Sequence, residues 1–215
     1  MVRAAIIGTL LMTMHTPPAR YLALGDSYTI GEGVDAAERW PMQLTHRLRE
    51  ADVPVADAEI IARTGWTTDE LDAAITERAP KGTYALVTLL VGVNNQYRGR
   101  SPDEFRTQLR SLISRAVGFA EGASQRVVLV SIPDWGVTPF NTSRDRATVS
   151  REIDAFNAIV REEASRAKAH FVDITDLTRA APGEVTTDGL HPSASMYRAW
   201  TDRLTPVASA ILRPR

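Results

Sequence analysis

The chain has 215 residues, 44% of them hydrophobic, enough to bury one substantial core in a single domain. Its 25 basic and 26 acidic residues nearly cancel, so no long-range field draws it to nucleic acid or to an anionic membrane, and a small neutral or weakly charged ligand is the expected partner. The absence of cysteine removes disulfide frameworks, cysteine nucleophiles, Cys-ligated zinc and iron–sulfur clusters together and leaves the redox compartment open.

In chain order, the first feature is Arg3 followed by the apolar run Ala4–Met14. The run is too short to span a bilayer, so no stable membrane insertion is expected. It resembles a signal-peptide core, yet it contains Thr9 and Thr13, follows one positive charge and lacks a small-x-small cleavage site. Residues 1–19 are therefore expected to be an N-terminal extension, and residues 20–215 the folded domain. A cytoplasmic location is favoured, with secretion or a periplasmic location the alternative if the apolar run acts as a signal peptide.

Apolar runs rich in β-branched residues then recur at Tyr21–Leu24, Val53–Ile61, Tyr84–Val91, Val127–Ile132 and Phe171–Ile174, and each predicts a buried strand. Helices are predicted between them. Thr67-Thr-Asp-Glu70 and Ser101-Pro-Asp-Glu104 match the capping box, the second with Pro102 at the first helical position. Over Arg144–Lys168, Val149, Ile153, Phe156 and Ile159 or Val160 share one helical face, and from Pro192 onward Met196, Trp200, Leu204 and Val207 do the same. Strands alternating with helices imply a mainly parallel sheet covered on both faces, an α/β fold without repeat or linker.

The first predicted strand runs into Gly25-Asp-Ser-Tyr28, a turn at the carboxyl end of a strand, where open parallel sheets bind ligands. Ser27 is thus a candidate nucleophile, although a serine at this position more commonly caps the following helix. The glycines at 25, 31 and 33 do not fit a dinucleotide fingerprint, and no phosphate-binding P-loop is present. A serine hydroxyl needs a base, usually His. His15 lies in the N-terminal arm, His46 on a predicted surface helix, and His170 opens the last strand. His191, in Thr187-Asp-Gly-Leu-His-Pro192, lies in the loop after that strand with Asp188 three residues before it, near enough for the carboxylate to hold the imidazole tautomer. No second His or compact carboxylate set accompanies the pair, so no metal site is expected. Gly65 follows the second strand and Asn94 the third, and each has a plain reading as a turn former. Together with Ser27 they would place a backbone N–H and a side-chain amide on the same rim of the sheet, where an acyl oxyanion needs donors.

The four segments resemble the blocks of the GDSL/SGNH hydrolases: Gly25-Asp-Ser-Tyr28 the first, Gly65 the second, Gly92-Val-Asn94 the third and Asp188-Gly-Leu-His191 the D-x-x-H block, in family order over nearly the whole chain. The resemblance implies a three-layer α/β/α fold with a five-stranded parallel flavodoxin-like sheet and cofactor-free ester hydrolysis through an acyl-enzyme. Ser27 would be the nucleophile, His191 the base and Asp188 its orienter, with Ser27, Gly65 and Asn94 forming the oxyanion hole. Tyr28 stands where the family name has Leu, and Asn95 where the third block usually has Asp; the second change bears on loop hydrogen bonding, not on the oxyanion donor.

The substrate is expected to be a small ester with a short acyl chain. Tyr28, Trp66 and Trp135 lie beside the site loops and are candidate pocket residues. A thioesterase, lysophospholipase or transacylase would use the same triad, and a flavodoxin-like binding module that cradles phosphate with Ser27 and Asn94 is the non-enzymatic alternative. The sequence specifies no oligomeric state.

Overall fold

The computed structural model describes residues 17–213, so the apolar run Ala4–Met14 lies outside the described residues. Five strands, β1 (Tyr21–Gly25), β2 (Glu59–Ala62), β3 (Leu86–Leu90), β4 (Val127–Val130) and β5 (His170–Val172), form one sheet in the order β2-β1-β3-β4-β5. Every pairing is parallel, and Gly25 lies level with both Ala62 and Leu90. All residues of β1, β3 and β4 are buried. Strands covered on both faces need apolar side chains on both, which is why these runs lack the alternation of a one-sided sheet.

Among the described residues, eight α-helices accompany the sheet: α1 (Ser27–Ile30), α2 (Trp40–Glu50), α3 (Thr68–Arg78), α4 (Val93–Tyr97), α5 (Pro102–Phe119), α6 (Arg146–Ala167), α7 (Thr175–Ala180) and α8 (Ala194–Leu212). α2 packs on α8, while α5 packs on α3 and α6, so helices flank the sheet on both sides in the expected three-layer arrangement. Of the two expected capping boxes, the one at Thr67 forms in full, while at Ser101 only the hydroxyl half forms, because the Glu104 carboxylate accepts from Arg100 and Gln108 instead. Glu70 accepts the Thr67 N–H at 2.8 Å ahead of α3, and the Ser101 hydroxyl accepts the Glu104 N–H at 3.2 Å ahead of α5. The apolar stripe of α8 buries Met196, Trp200 and Leu204. Among the described residues, no helix is long and apolar enough to cross a membrane.

The limits of all five strands differ from the sequence reading, and two of the shifts have a clear local cause. The expected strand Val53–Ile61 shrinks to Glu59–Ala62. Pro54 has no N–H to give a ladder, and its carbonyl instead accepts the Ala19 N–H at 2.9 Å, so Val55 makes only an isolated bridge with Ala19. The last strand ends at Val172 rather than Ile174, because the Asp173 carboxylate accepts the Thr175 N–H at 3.1 Å and turns the chain into α7, a helix with no counterpart in the sequence reading.

The strand order reverses between β1 and β3, the position in an open parallel sheet where the diverging connections leave a crevice. Ser27 follows β1 and Asn94 follows β3, so the two flank that crevice.

Candidate active site

Ser27 is the first residue of α1, but it does not cap it. The cap is Asp26, whose Oδ1 accepts the Tyr28 N–H at 3.0 Å, leaving the Ser27 side chain free of that duty. Gly25 has to be glycine here, since a Cβ would lie 2.5 Å from the Leu90 carbonyl of the neighbouring strand. Asp26 is fully buried, and among the described residues its Oδ2 has no hydrogen-bond partner. Burial raises its pKa to about 7 against the opposing backbone N–H groups of Tyr28 and Gly92.

Asp188 and His191 sit at the tip of a narrow loop after α7. An antiparallel bridge joins Val185 to Pro192, and the Thr186 N–H donates to the His191 carbonyl at 2.7 Å. Gly189, at φ +74°, supplies the left-handed turn that reverses the chain. Asp188 Oδ1 then accepts the backbone N–H groups of Leu190 and His191 at 2.8 and 3.0 Å, and Oδ2 lies 2.6 Å from His191 Nδ1. Partial burial alone would raise the Asp188 pKa, but the bonds from the His191 ring, the Leu190 and His191 backbone and the Thr186 hydroxyl outweigh it and hold the group at about 2. An ionised carboxylate can only accept, so Nδ1 carries the imidazole proton and Nε2 is left as the basic nitrogen.

On the opposite side, Arg63 to Trp66 make a tight turn closed by the Trp66 N–H to the Arg63 carbonyl at 3.3 Å, with Gly65 at φ +87°. These are features of a type II turn, which requires a positive φ at its third residue. Asn94, the second residue of α4, donates from Nδ2 to the Trp66 carbonyl at 2.9 Å. That bond identifies the amide nitrogen and leaves its second N–H unused. Among the described residues, the backbone N–H groups of Ser27 and Gly65 likewise have no hydrogen-bond acceptor. Asn95 is fully buried; its Oδ1 accepts the Thr68 N–H at 3.1 Å and its Nδ2 donates to the Thr68 hydroxyl at 2.7 Å. The Thr68 hydroxyl in turn donates a hydrogen bond to the Gln108 side-chain oxygen. An aspartate could make the first of these bonds but not the second, so the amide fits this neighbourhood through a donor that the carboxylate lacks.

Ser27, Tyr28, Gly65, Asn94, Trp135 and His191 all line one pocket of about 160 Å³, together with Thr64, Val93, Tyr97, Phe140 and Leu190. Asp188 stands behind His191, outside the lining. The predicted pocket residue Trp66 is also outside it and contributes its carbonyl to Asn94 instead. Tyr28 is buried and packs against His191, with ring centroids 5.6 Å apart and the planes tilted by 59°. Trp135 is held by an indole N–H bond to Gln96 at 2.8 Å and packs edge-on against Tyr97, with centroids 5.2 Å apart. Tyr97 and Phe140, at 51% and 41% exposure, are the exposed large hydrophobics among the described residues, and both lie on this pocket. Sequence reasoning missed them. Tyr97 carried a signal, three positions past Asn94 on the same short helix, whereas Phe140 lies in a motif-free loop. Among the described residues, no group of three or more His, Cys, Asp or Glu side chains could hold a metal ion.

The family model described as GDSL-like lipase/acylhydrolase matches residues 23–199. The chain is 26% identical over 213 residues to esterase TesA of Pseudomonas aeruginosa, covering 96% of each. Among solved structures it is similar to TesA (TM-score 0.69, 22% identity, 90% of this chain and 99% of that one). It is also similar to the acetylxylan esterase Axe2 of Geobacillus stearothermophilus (TM-score 0.70, 18% identity, 93% and 98%). The lipase/acylhydrolase of Enterococcus faecalis gives a TM-score of 0.70 at 19% identity, over 91% and 98%.

Proposed function

The chain belongs to the GDSL-like lipase/acylhydrolase family, whose members hydrolyse ester bonds, and from that premise we propose that it cleaves small carboxylic esters through an acyl-enzyme on Ser27. The observation that carries this reading is the 2.6 Å contact between Asp188 and His191 on the same pocket as Ser27. The Ser27 Oγ attacks the ester carbonyl as His191 Nε2 takes its proton. Asp188 holds the ring and stabilises the imidazolium. The unused N–H groups of Ser27, Gly65 and Asn94 receive the oxyanion, and their fixed orientation costs no reorganisation when charge develops. His191 then gives the proton to the departing alcohol. Water, deprotonated by the same nitrogen, releases the acid and frees Ser27. The proposed catalytic unit is residues 20–215, with 1–19 an extension whose last residue, Ala19, pairs with Val55 and so is tied to the fold.

Acyl groups from acetyl to about hexanoyl are the proposed range. The pocket, about 160 Å³, is smaller than the ~300–1,000 Å³ typical of sites for drug-sized ligands. A series of p-nitrophenyl esters from acetyl to dodecanoyl tests this: kcat/KM is expected to peak at or below six carbons and fall beyond. A rate that climbs through dodecanoyl would reject the chain-length proposal.

A further inference from the structure

The turn that presents Gly65 is held in place from α4. Asn94 binds the Trp66 carbonyl, Asn95 binds Thr68, and Arg98, which ends α4, donates from Nη2 to the Gly65 carbonyl at 2.6 Å. The other guanidinium nitrogen reaches Glu70 at 3.3 Å, the residue that caps the start of α3. Glycine lets this turn take two forms. Types I and II differ mainly by a flip of the peptide between the second and third residues, here Thr64–Gly65, and the flip reverses the direction of the Gly65 N–H. The observed φ of +87° selects one of them.

We propose that Arg98 is a positioning residue for the oxyanion hole: its bond to the Gly65 carbonyl locks the Arg63–Trp66 turn in the form that directs the Gly65 N–H into the pocket. The bond fixes the Gly65–Trp66 peptide on one side of the flipping unit, as Asn94 does one residue further on. An unlocked turn samples both forms, and only one offers the donor. The loss falls on the transition state, where the oxyanion exists, and not on the ground-state ester. The inference rests on the reading of the pocket as an ester-hydrolysing site.

The test compares wild type, Arg98→Ala and Arg98→Lys on p-nitrophenyl acetate, with active sites counted by fluorophosphonate titration. For Arg98→Ala, kcat per active site is expected to fall about tenfold to a hundredfold, the scale of a slightly misplaced catalytic group, with KM within about twofold. Arg98→Lys, which keeps one charged donor without the planar fork, is expected to lie between. Methylguanidine added to Arg98→Ala is expected to restore part of the rate. A purely structural Arg98 would instead lower thermal stability and leave kcat per active site unchanged, and that result overturns the proposal. If Arg98→Ala does not fold, Arg98→Lys decides it: a reduced kcat at normal KM supports the lock, and a wild-type kcat rejects it. A wild type that turns over no ester and titrates no site would reject the hydrolase reading itself, an outcome separate from equal rates in wild type and variant.

Discussion

The proposed acid–base arm between Glu184 and Ser193 holds its shape mostly with its own backbone, whereas the proposed oxyanion arm between Arg63 and Thr68 is held largely by side chains reaching from α4. In the first arm, the Val185–Pro192 bridge and the Gly189 turn bring Asp188 and His191 together within a few residues of chain. In the second, Asn94, Asn95 and Arg98 act from about thirty positions away along the sequence. A local turn can be rebuilt by its own residues after a disturbance. A loop tied through distant side chains, these three together with Glu32 on Thr64 and Gln108 on Thr68, loses its geometry one tie at a time, and each tie can be cut separately.

The largest expected effect is on the local arm. Asp188→Asn should keep the loop, since an amide oxygen can still accept the Leu190 and His191 N–H groups, but it no longer selects the imidazole tautomer. A fall in kcat of about 10⁴-fold is expected, with near-wild-type thermal stability. A smaller loss, within tenfold, would mean that the backbone hairpin alone orients His191 and that the carboxylate is dispensable.

In the distant arm, Asn94→Ala should lower kcat by about 10²–10³-fold with KM little changed, because the proposed task of the amide is to bind the developing oxyanion. Steady-state kinetics and a melting curve on the same sample separate this from a turn-shaping role, which would lower stability and leave kcat intact. Asn95→Ala should show the reverse balance. It leaves the buried Thr68 N–H without its acceptor, at a cost of about 1–3 kcal/mol in stability, and should affect kcat less than Asn94→Ala does. Equal kcat losses in the two variants would show that α4 moves as one body and that the amide of Asn94 has no separate task.

The same contrast governs what could be read from the chain. The D-x-x-H spacing was legible because the contact is made inside one turn, and the strand that carries Ser27 because burial on both faces writes a continuous apolar run. Gly65 and Asn94 were legible only in conjunction, as residues that follow successive strands. The capping duty at the Ser27 turn falls to Asp26, which no periodicity marks. The partners of Asn94 and Asn95 depend on how α4 docks beside the β2–α3 loop, so neither the role of the Trp66 carbonyl nor that of Arg98 could be seen in advance. Trp66 shows this most directly: proximity in sequence suggested a pocket side chain, while the fold uses its main chain.

The measurement closest to the central proposal is fluorophosphonate labelling followed by peptide mass spectrometry. One adduct per chain is expected, on the peptide carrying Ser27, lost in Ser27→Ala and much slower to form in Asp188→Asn. Undiminished labelling of Ser27→Ala, or an adduct on a different serine in the wild type, would contradict the assignment of Ser27 as nucleophile and the pocket between β1 and β3 as the site of chemistry.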